Sequence, residues 1–359
     1  MAKLGTKITG LLLAVFLLAS FMPASAAELK PTVLRFASAW PPPENSMISS
    51  THKMWMDEVT RLSAGKITWR QYWGGAMGKP AEHLSLVEKG LADVVGTNAH
   101  YTPGKLPLGQ FEYIFPLGPG DPVVVAKAKR QIMEEFPEFA ADLAKYNAVM
   151  IMVAPGAMYQ ILSKTPVNKL DDLKGKKIAL IGRYFGRWFE PLGAVPVVAP
   201  AQERYTMLQT GVVDMDLMAI DLQYAFKLAE QCKHFAGVEA LLGTFGDLWI
   251  NKKTFEQFPP EVQEMMLKAG KEIELKAAET IVAEWTAKIM KSWNDGGMSF
   301  YNLTEKERAD WAAVVEDIPA EWAKEVEEQG YPGWKIVERF QELCEQHGYK
   351  WPRKWGVKN

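Results

Sequence analysis

The first hundred residues alternate between strand and helix patterns, and this alternation limits the fold more than any other feature. The predicted order is strand Thr32–Ala37, helix 46–62, strand Ile67–Tyr72, helix 80–91 and strand Ala92–Thr97. Asn45 or Ser46 is placed to cap the first helix. Because a β-α-β-α-β order needs helical crossovers between neighbouring strands, it predicts a parallel sheet covered by helices.

A second set of alternating elements follows Pro155-Gly156. Its predicted strands are Tyr159–Ser163, Lys177–Ile181, Pro196–Ala199 and Val213–Met218, and its predicted helices are Tyr184–Leu192, Gln202–Thr210 and Leu222–Glu230. Gly211 is expected to end the middle helix as a C-cap. The strand Leu248–Asn251 is predicted to return to the first lobe.

A long helical pattern runs from Pro259 or Pro260 to about Trp293, and two further helices are predicted at about 305–315 and 334–346. The fold class is therefore α/β with two lobes. The predicted lobes comprise residues 27–155 with about 244–283, and residues 156–243 with about 284–359.

The amino terminus predicts export. Lys3 and Lys7 precede an apolar stretch at residues 8–21, and Ala24-Ser25-Ala26 gives a small-x-small cleavage pattern, so residues 1–26 are predicted to be a cleaved signal peptide. The chain has 41 Lys and Arg against 43 Asp and Glu, without a basic block, which argues against nucleic acid as a partner. The expected compartment is the periplasm.

Enzyme motifs are absent from the sequence. No HExxH metal pair, Gly-x-Ser-x-Gly elbow or phosphate loop occurs, so no cofactor or metal is expected. Cys232 and Cys344 lie outside any metal spacing, and we expect two lone, partly buried thiols, although pairing is open. An exported enzyme and the periplasmic partner of a sensor remain the alternatives to a binding protein.

Several motifs recur in a recognisable order. They are Ser63–Ile67, Gly75–Glu82, Gly90–Asp93, Asp171–Gly182, Leu192–Val197 and Glu203–Asp214. Together they resemble the extracytoplasmic solute receptors of TRAP transporters, the DctP type. The resemblance implies the periplasmic solute-binding fold, with a hinge, a ligand cleft between the lobes and a long helix across both lobes. It also implies a small and a large membrane subunit as partners.

The chain departs from this family where the ligand is usually held. The resemblance places two ligand-binding arginines at Ala179 and Met158, an aromatic contact at Ala201 and an asparagine at Met218. Small or apolar residues at these positions predict a pocket for an organic acid with an apolar or aromatic part. A neutral or cationic solute is the alternative. Two alternatives stay open for Arg183 and Arg187. One of them replaces the family's arginines in binding the ligand carboxylate, or both are ordinary surface charges.

Further candidate ligand contacts follow predicted strands, where α/β clefts bind their ligands. Including the altered family positions, the predicted ligand-binding residues are Trp40, Asn98, His100, Tyr101, Met158, Ala179, Arg183, Tyr184, Asp216, Met218, Asp221 and Trp249. Asp216 and Asp221 suit a cationic solute, or they cap the helix that starts near Leu222. The function expected from these observations is that of a solute receptor, not an enzyme.

Overall fold

The computed structural model describes residues 29–244 and 246–357, with the backbone alone described at Thr244. The predicted signal peptide, residues 1–26, lies outside the described residues. The strands are β1 Thr32–Ser38, β2 Ile67–Tyr72, β3 Val94–Thr97, β4 Ala148–Met152, β5 Pro155–Ser163, β6 Lys177–Leu180, β7 Val195–Val198, β8 Met215–Ala219, β9 His234–Gly237, β10 Leu242–Thr244, β11 Asp247–Asn251 and β12 Ser299–Asn302.

Helices pack on both faces of these strands. They are α1 Met47–Leu62, α2 His83–Glu88, α3 Pro122–Glu135, α4 Glu138–Lys145, α5 Phe185–Phe189, α6 Ala201–Thr210, α7 Ile220–Ala225, α8 Lys252–Glu256, α9 Pro260–Lys276, α10 Val282–Asp295, α11 Glu305–Val314, α12 Ile318–Glu327 and α13 Gly333–Gln346.

Two sheets define two lobes. The sheet of lobe I has the order β2-β1-β3-β11-β4, and that of lobe II has the order β12-β9-β5-β8-β6-β7, with β10 paired to β5. In lobe I, β1 pairs in parallel with both β2 and β3, as the β-α-β-α-β pattern predicted. The α/β two-lobe fold is thus confirmed.

The chain passes between the sheets at two short segments. One lies between Met152 of β4 and Pro155 of β5, and the other lies between Thr244 of β10 and Asp247 of β11. The strand at Leu248–Asn251 does return to the sheet of lobe I, between β3 and β4. The lobe boundaries given above stay predictions. Helix α13 falls in the predicted lobe II by residue number, but it packs on α3, which falls in the predicted lobe I.

The long helix spans both lobes. Helix α9 packs on α1 and β4 of lobe I, whereas α10 packs on α7 and β5 of lobe II. Gly270 lets α9 approach β4 closely, since a Cβ atom there would lie 2.2 Å from the carbonyl oxygen of Ile151. The single unbroken helix expected from the sequence is interrupted by a π-helical turn at Ala277–Ile281. This turn lies where the contacts change from one lobe to the other.

Helix ends account for the other differences from prediction. The helix expected at residues 80–91 is shorter, because Pro80–Glu82 forms a 3-10 turn and Gly90 adopts a positive φ of 66°. Pro191 likewise replaces the end of the helix expected at 184–192 by a 3-10 turn. Gly211 ends α6 at a φ of 76°, as predicted.

The helix expected at 222–230 begins and ends early. Helix α7 starts at Ile220, directly after β8, and ends at Ala225, before Lys227 adopts a left-handed φ of 57°. At the carboxyl terminus, three helices follow β12 instead of two. The additional helix, α12, is capped by Asp317, whose carboxylate accepts from the N–H of Ala320.

Candidate ligand site between the lobes

The carboxyl ends of parallel strands carry the candidate residues in both lobes. Trp40 follows β1 and the segment 98–101 follows β3, and these two strands are parallel neighbours. In lobe II, Tyr184 follows β6 and Asp221 follows β8, which are again parallel neighbours. Each lobe therefore gathers its candidates at one edge of its sheet, which is where open α/β sheets bind ligands.

The two edges meet through aromatic side chains. The ring of Tyr113, in the 3-10 helix Pro107–Ile114 of lobe I, lies 6.1 Å from the ring of Phe185 in lobe II. Phe185 in turn lies 5.2 Å from the ring of Tyr159 on β5. One cluster of buried apolar residues contains all three together with Trp40 and Tyr184. The two lobes thus meet in an aromatic interior to which both contribute side chains.

His100 and Tyr101 form the lobe I wall of this interior. The Nδ1 atom of His100 lies 2.8 Å from Oδ1 of Asn98 and 3.1 Å from the hydroxyl of Tyr113. Burial, helped by the nearby ammonium of Lys129, lowers the pKa of His100 to about 3, so the imidazole is neutral. Burial raises the pKa of Tyr101 to about 12, while Arg204 across the cleft acts in the opposite direction. Both side chains are therefore uncharged at neutral pH.

A fully buried arginine, Arg204 on α6, places a positive charge in the interior of lobe II. Its Nη1 donates to Oδ2 of Asp216 at 2.9 Å and to the carbonyl of Leu217 at 3.0 Å. Its Nε and Nη2 both donate to the carbonyl of Ala199, at 3.1 and 3.0 Å. These contacts use four of the five N–H groups that a guanidinium carries. Gln223 donates to the other oxygen of Asp216 at 2.9 Å and completes the network.

Asp221 differs sharply from Asp216. It is 3 % exposed, and neither carboxylate oxygen has a hydrogen-bond partner among the described residues. The N–H groups of Leu222 and of Asp221 itself lie near enough to lower its pKa somewhat, but burial dominates and raises that pKa to about 7. Ala219 is the N-cap residue of α7 and has no side-chain cap, so the capping role considered for Asp216 and Asp221 is wrong.

The positions where the resembling family carries its ligand contacts lie around this network. Ala179 on β6 is buried and lies directly beside Asp216 on β8. Met218 is buried on β8, two residues further. Met158 alternates with Tyr159 on β5 and lines a separate groove of about 520 Å³ beside α10. Ala201 is the first residue of α6. The structure thus brings Ala179, Asp216 and Met218 together and places Met158 elsewhere.

Arg183 and Arg187 form surface ion pairs with the C-terminal helices. Arg183 contacts Glu325 and lies over the ring of Tyr184, 4.7 Å from its centre. Arg187 contacts Glu316 and Glu321, the latter at 2.8 Å. Of the two alternatives left open by the sequence, the surface role agrees with these contacts.

Asn98 and Trp249 face the interior of lobe I. Both line a cavity of about 30 Å³ that also touches Lys129 and Asp247. The ammonium of Lys129 lies 2.5 Å from Glu112 and 2.9 Å from Asp247, and all three side chains are buried. The two carboxylates raise the pKa of Lys129 against the opposing effect of burial. Trp249 therefore lines the same cavity as a buried ion network.

Sequence reasoning missed Arg204, although a signal existed. Helix α6 buries only Arg204 and Leu208, which are four residues apart and hence on one helix face. A charged residue on the buried face of an otherwise polar helix requires a buried partner. Asp216 could have been proposed as that partner.

Both cysteines are buried and free of any disulfide, which agrees with the expectation of lone thiols. Within the described ranges, no group of three or more His, Cys, Asp or Glu side chains is arranged to hold a metal ion. In the same part of the chain, no helix combines the length and apolarity needed to cross a bilayer.

The structure combines two α/β lobes, two short chain crossings between them and a long helix that contacts both. This combination is typical of two-lobe extracytoplasmic solute-binding proteins, which bind their ligand in the cleft between the lobes. The chain belongs to the DctP family, described as bacterial extracellular solute-binding protein, family 7, whose model matches residues 36–325. It is a receptor family for small organic solutes.

Relatives and solved structures agree with this assignment. A "solute-binding protein" of Albidiferax ferrireducens is 26 % identical over 271 residues, covering 73 % of this chain and 78 % of the relative. A marine metagenome TRAP solute-binding protein specific for aromatic acids, solved with 3-hydroxybenzoate, has a TM-score of 0.76 at 24 % identity and covers 89 % and 100 % of the two chains. A TRAP solute-binding protein of Rhodoferax ferrireducens, solved with copurified benzoate, has a TM-score of 0.75 at 20 % identity, covering 88 % and 98 %.

Proposed function

We propose that this protein is the periplasmic receptor of a TRAP transporter and that it binds an organic acid with an apolar or aromatic part in the cleft between its lobes. Delivery to a small and a large membrane subunit follows from that role. The receptor carries out no reaction, and a cleaved signal peptide exports it. The observation that carries the proposal is the guanidinium of Arg204 beside the aromatic interior formed by Tyr101, Tyr159 and Phe185.

The surroundings of Arg204 favour a monocarboxylate over a dicarboxylate. Four of its N–H groups are already bound, and Asp216 offsets its charge. A bidentate clamp on a carboxylate needs two parallel N–H groups. One N–H on Nη2 supports a single hydrogen bond to one carboxylate oxygen, and the rest of the affinity then comes from contact with the aromatic rings.

The chemistry of similar proteins supports the same ligand class. The two solved structures described above hold 3-hydroxybenzoate and benzoate, which are single carboxylates on a flat ring. A flat ring would pack well against the aromatic cluster of Tyr113, Tyr159 and Phe185, on which Tyr101 also packs. In this chain, Ala179 and Met218 take the place of longer polar side chains and leave the walls apolar.

A neutral or cationic solute is the second candidate, and Asp221 is the observation that favours it. An ionised carboxylate without a partner inside the cleft would repel an anion and attract a cation. The Arg204–Asp216 pair, being neutral overall, does not cancel that charge.

A thermal-shift screen of the mature protein separates these candidates. Aromatic monocarboxylates, C4-dicarboxylates and aromatic amines are each added at the same concentration. A ligand at about 100 times its Kd stabilises the folded state by about 2.7 kcal/mol. We expect the largest shift from an aromatic monocarboxylate. A largest shift from a C4-dicarboxylate, or from an amine, would refute the proposed ligand class.

A further inference from the structure

Three buried aspartates lie near the cleft, and they are not equivalent. Asp216 is paired with Arg204 and Gln223, and Asp247 is paired with Lys129. Asp221 is as buried as these two, but both of its oxygens lack a hydrogen-bond partner. The fold therefore supplies side-chain partners for two of these carboxylates and none for the third.

Such a group is unusual in a folded protein. Buried polar atoms are nearly always hydrogen-bonded, and an unpaired buried carboxylate is among the most costly exceptions. Local departures of this kind occur mainly at functional sites, where a ligand supplies the missing contact. The unpaired state of Asp221 thus needs an explanation beyond stability.

The position of Asp221 supplies one. It follows β8 at the carboxyl edge of the sheet of lobe II, which meets lobe I. Tyr159 on β5 pairs with Ala219 of β8, two residues before Asp221, and Arg204 donates to Asp216 on the same strand. Because Tyr101 packs against the same apolar cluster that contains Tyr159, we expect both Asp221 and Arg204 to lie within reach of a small molecule held between these two rings.

The order of charges along this wall suggests how a ligand is oriented. Arg204 can meet a carboxylate, whereas Asp221 in its ionised form only accepts hydrogen bonds and would repel a second carboxylate. The ligand group beside Asp221 is therefore a donor. Hydroxyl and amino groups on a ring meet this requirement, and a plain hydrocarbon edge does not.

Given the proposed function, we propose that Asp221 accepts a hydrogen bond from a hydroxyl or amino substituent of the ligand, so that the receptor selects hydroxylated or aminated aromatic acids over their unsubstituted parents. Asp221 is then the specificity-determining residue of the cleft, and Arg204 is the contact common to all acids.

The test compares acids that differ by one donor. Isothermal titration calorimetry is run with benzoate, 3-hydroxybenzoate, 3-aminobenzoate and 3-methoxybenzoate, the last having the added bulk without the donor. A hydrogen bond to a charged acceptor corresponds to about tenfold or more in Kd. We expect wild-type protein to bind a hydroxy or amino acid at least about tenfold more tightly than both benzoate and the methoxy analogue.

Two variants assign that preference to Asp221. In Asp221→Asn and Asp221→Ser the preference should fall to about threefold or less, while the affinity for benzoate is kept or improved. Asp171→Asn is the matched control, because Asp171 is 86 % exposed and precedes β6, at the edge opposite the cleft. It should retain the full preference.

The outcomes are distinguishable. Binding of benzoate without preference for the donor-bearing acids overturns the role of Asp221 and leaves the proposed function standing. A donor preference that persists in both Asp221 variants also overturns it. Binding of none of the acids refutes the proposed function and the role of Asp221 with it. If neither variant folds, equal wild-type affinities for 3-hydroxybenzoate and 3-methoxybenzoate still overturn the role of Asp221.

Discussion

Replacing Asp221 by asparagine should make the empty protein more stable, and the gain should grow as pH rises. Burial raises the pKa of this carboxyl from 3.8 to about 7 in the folded state. A carboxyl group whose pKa is higher in the folded than in the unfolded protein adds to the free energy of unfolding while it is protonated. This contribution is lost as pH rises through the pKa of the folded state. Asparagine does not ionise, so the variant lacks this loss.

The magnitude follows from the two pKa values. Each pKa unit corresponds to about 1.4 kcal/mol, so the full difference between 3.8 and about 7 corresponds to about 4 kcal/mol. About 3 kcal/mol of this falls between pH 5 and pH 8, because the folded carboxyl is mostly protonated at pH 5 and ionised at pH 8. The stability of Asp221→Asn relative to wild type should therefore increase by about 3 kcal/mol over that interval.

Urea denaturation at pH 5, 6, 7 and 8, followed by tryptophan fluorescence without ligand, measures this difference. Comparing the variant with wild type at each pH cancels the titration of all other groups. The control Asp171→Asn, at an exposed site, should differ from wild type by a constant amount. If the difference between Asp221→Asn and wild type changes by less than about 1 kcal/mol from pH 5 to pH 8, the buried, unpaired state assigned to Asp221 is wrong.

Three further substitutions test the charge networks. Arg204→Met should lower the free energy of unfolding by about 3–5 kcal/mol, since it leaves Asp216 buried without its cation. The double variant Arg204→Met/Asp216→Leu should lose less stability than the sum of the losses in the two single variants. Additive losses in urea denaturation would contradict the pairing of these two residues. Lys129→Met should cost about 3–5 kcal/mol for the same reason, and a cost below about 1 kcal/mol in urea denaturation would contradict the buried ion pairs of Lys129. Arg187→Gln removes an exposed ion pair, so it should change the free energy of unfolding by less than about 1 kcal/mol and leave the Kd for benzoate unchanged. A large loss of affinity in calorimetry would instead make Arg187 a ligand contact.

The fold was largely predictable because its elements leave local signals. Period-two strands, amphipathic helices and turn residues such as Gly211 mark most elements of both lobes. The missed helix α12 has a weaker signal, since its start depends on the cap at Asp317 and on Pro319 in its first turn. The π turn at Ala277–Ile281 has no sequence signal, because it arises where one helix must pack on two lobes.

The site was predictable by position but not by pairing. The sequence placed Tyr101, Tyr184 and Asp221 after strands, and the structure has them after β3, β6 and β8, while their contact with a ligand stays a prediction. Which buried charges find partners is a tertiary property, and so the sequence could not distinguish Asp216, which Arg204 neutralises, from Asp221, which is left unpaired. The substitute arginines predicted from the sequence, Arg183 and Arg187, lie near the glycine of the motif, whereas the buried arginine lies on the next helix.

A crystal structure of the mature protein with its tightest-binding aromatic acid tests the central claim most directly. The ring should lie between Tyr101 of lobe I and Tyr159 and Phe185 of lobe II. One carboxylate oxygen should lie within about 3.2 Å of Nη2 of Arg204. An acid bound outside the cleft, such as in the groove beside α10, or held by Arg183 or Arg187, would contradict the account.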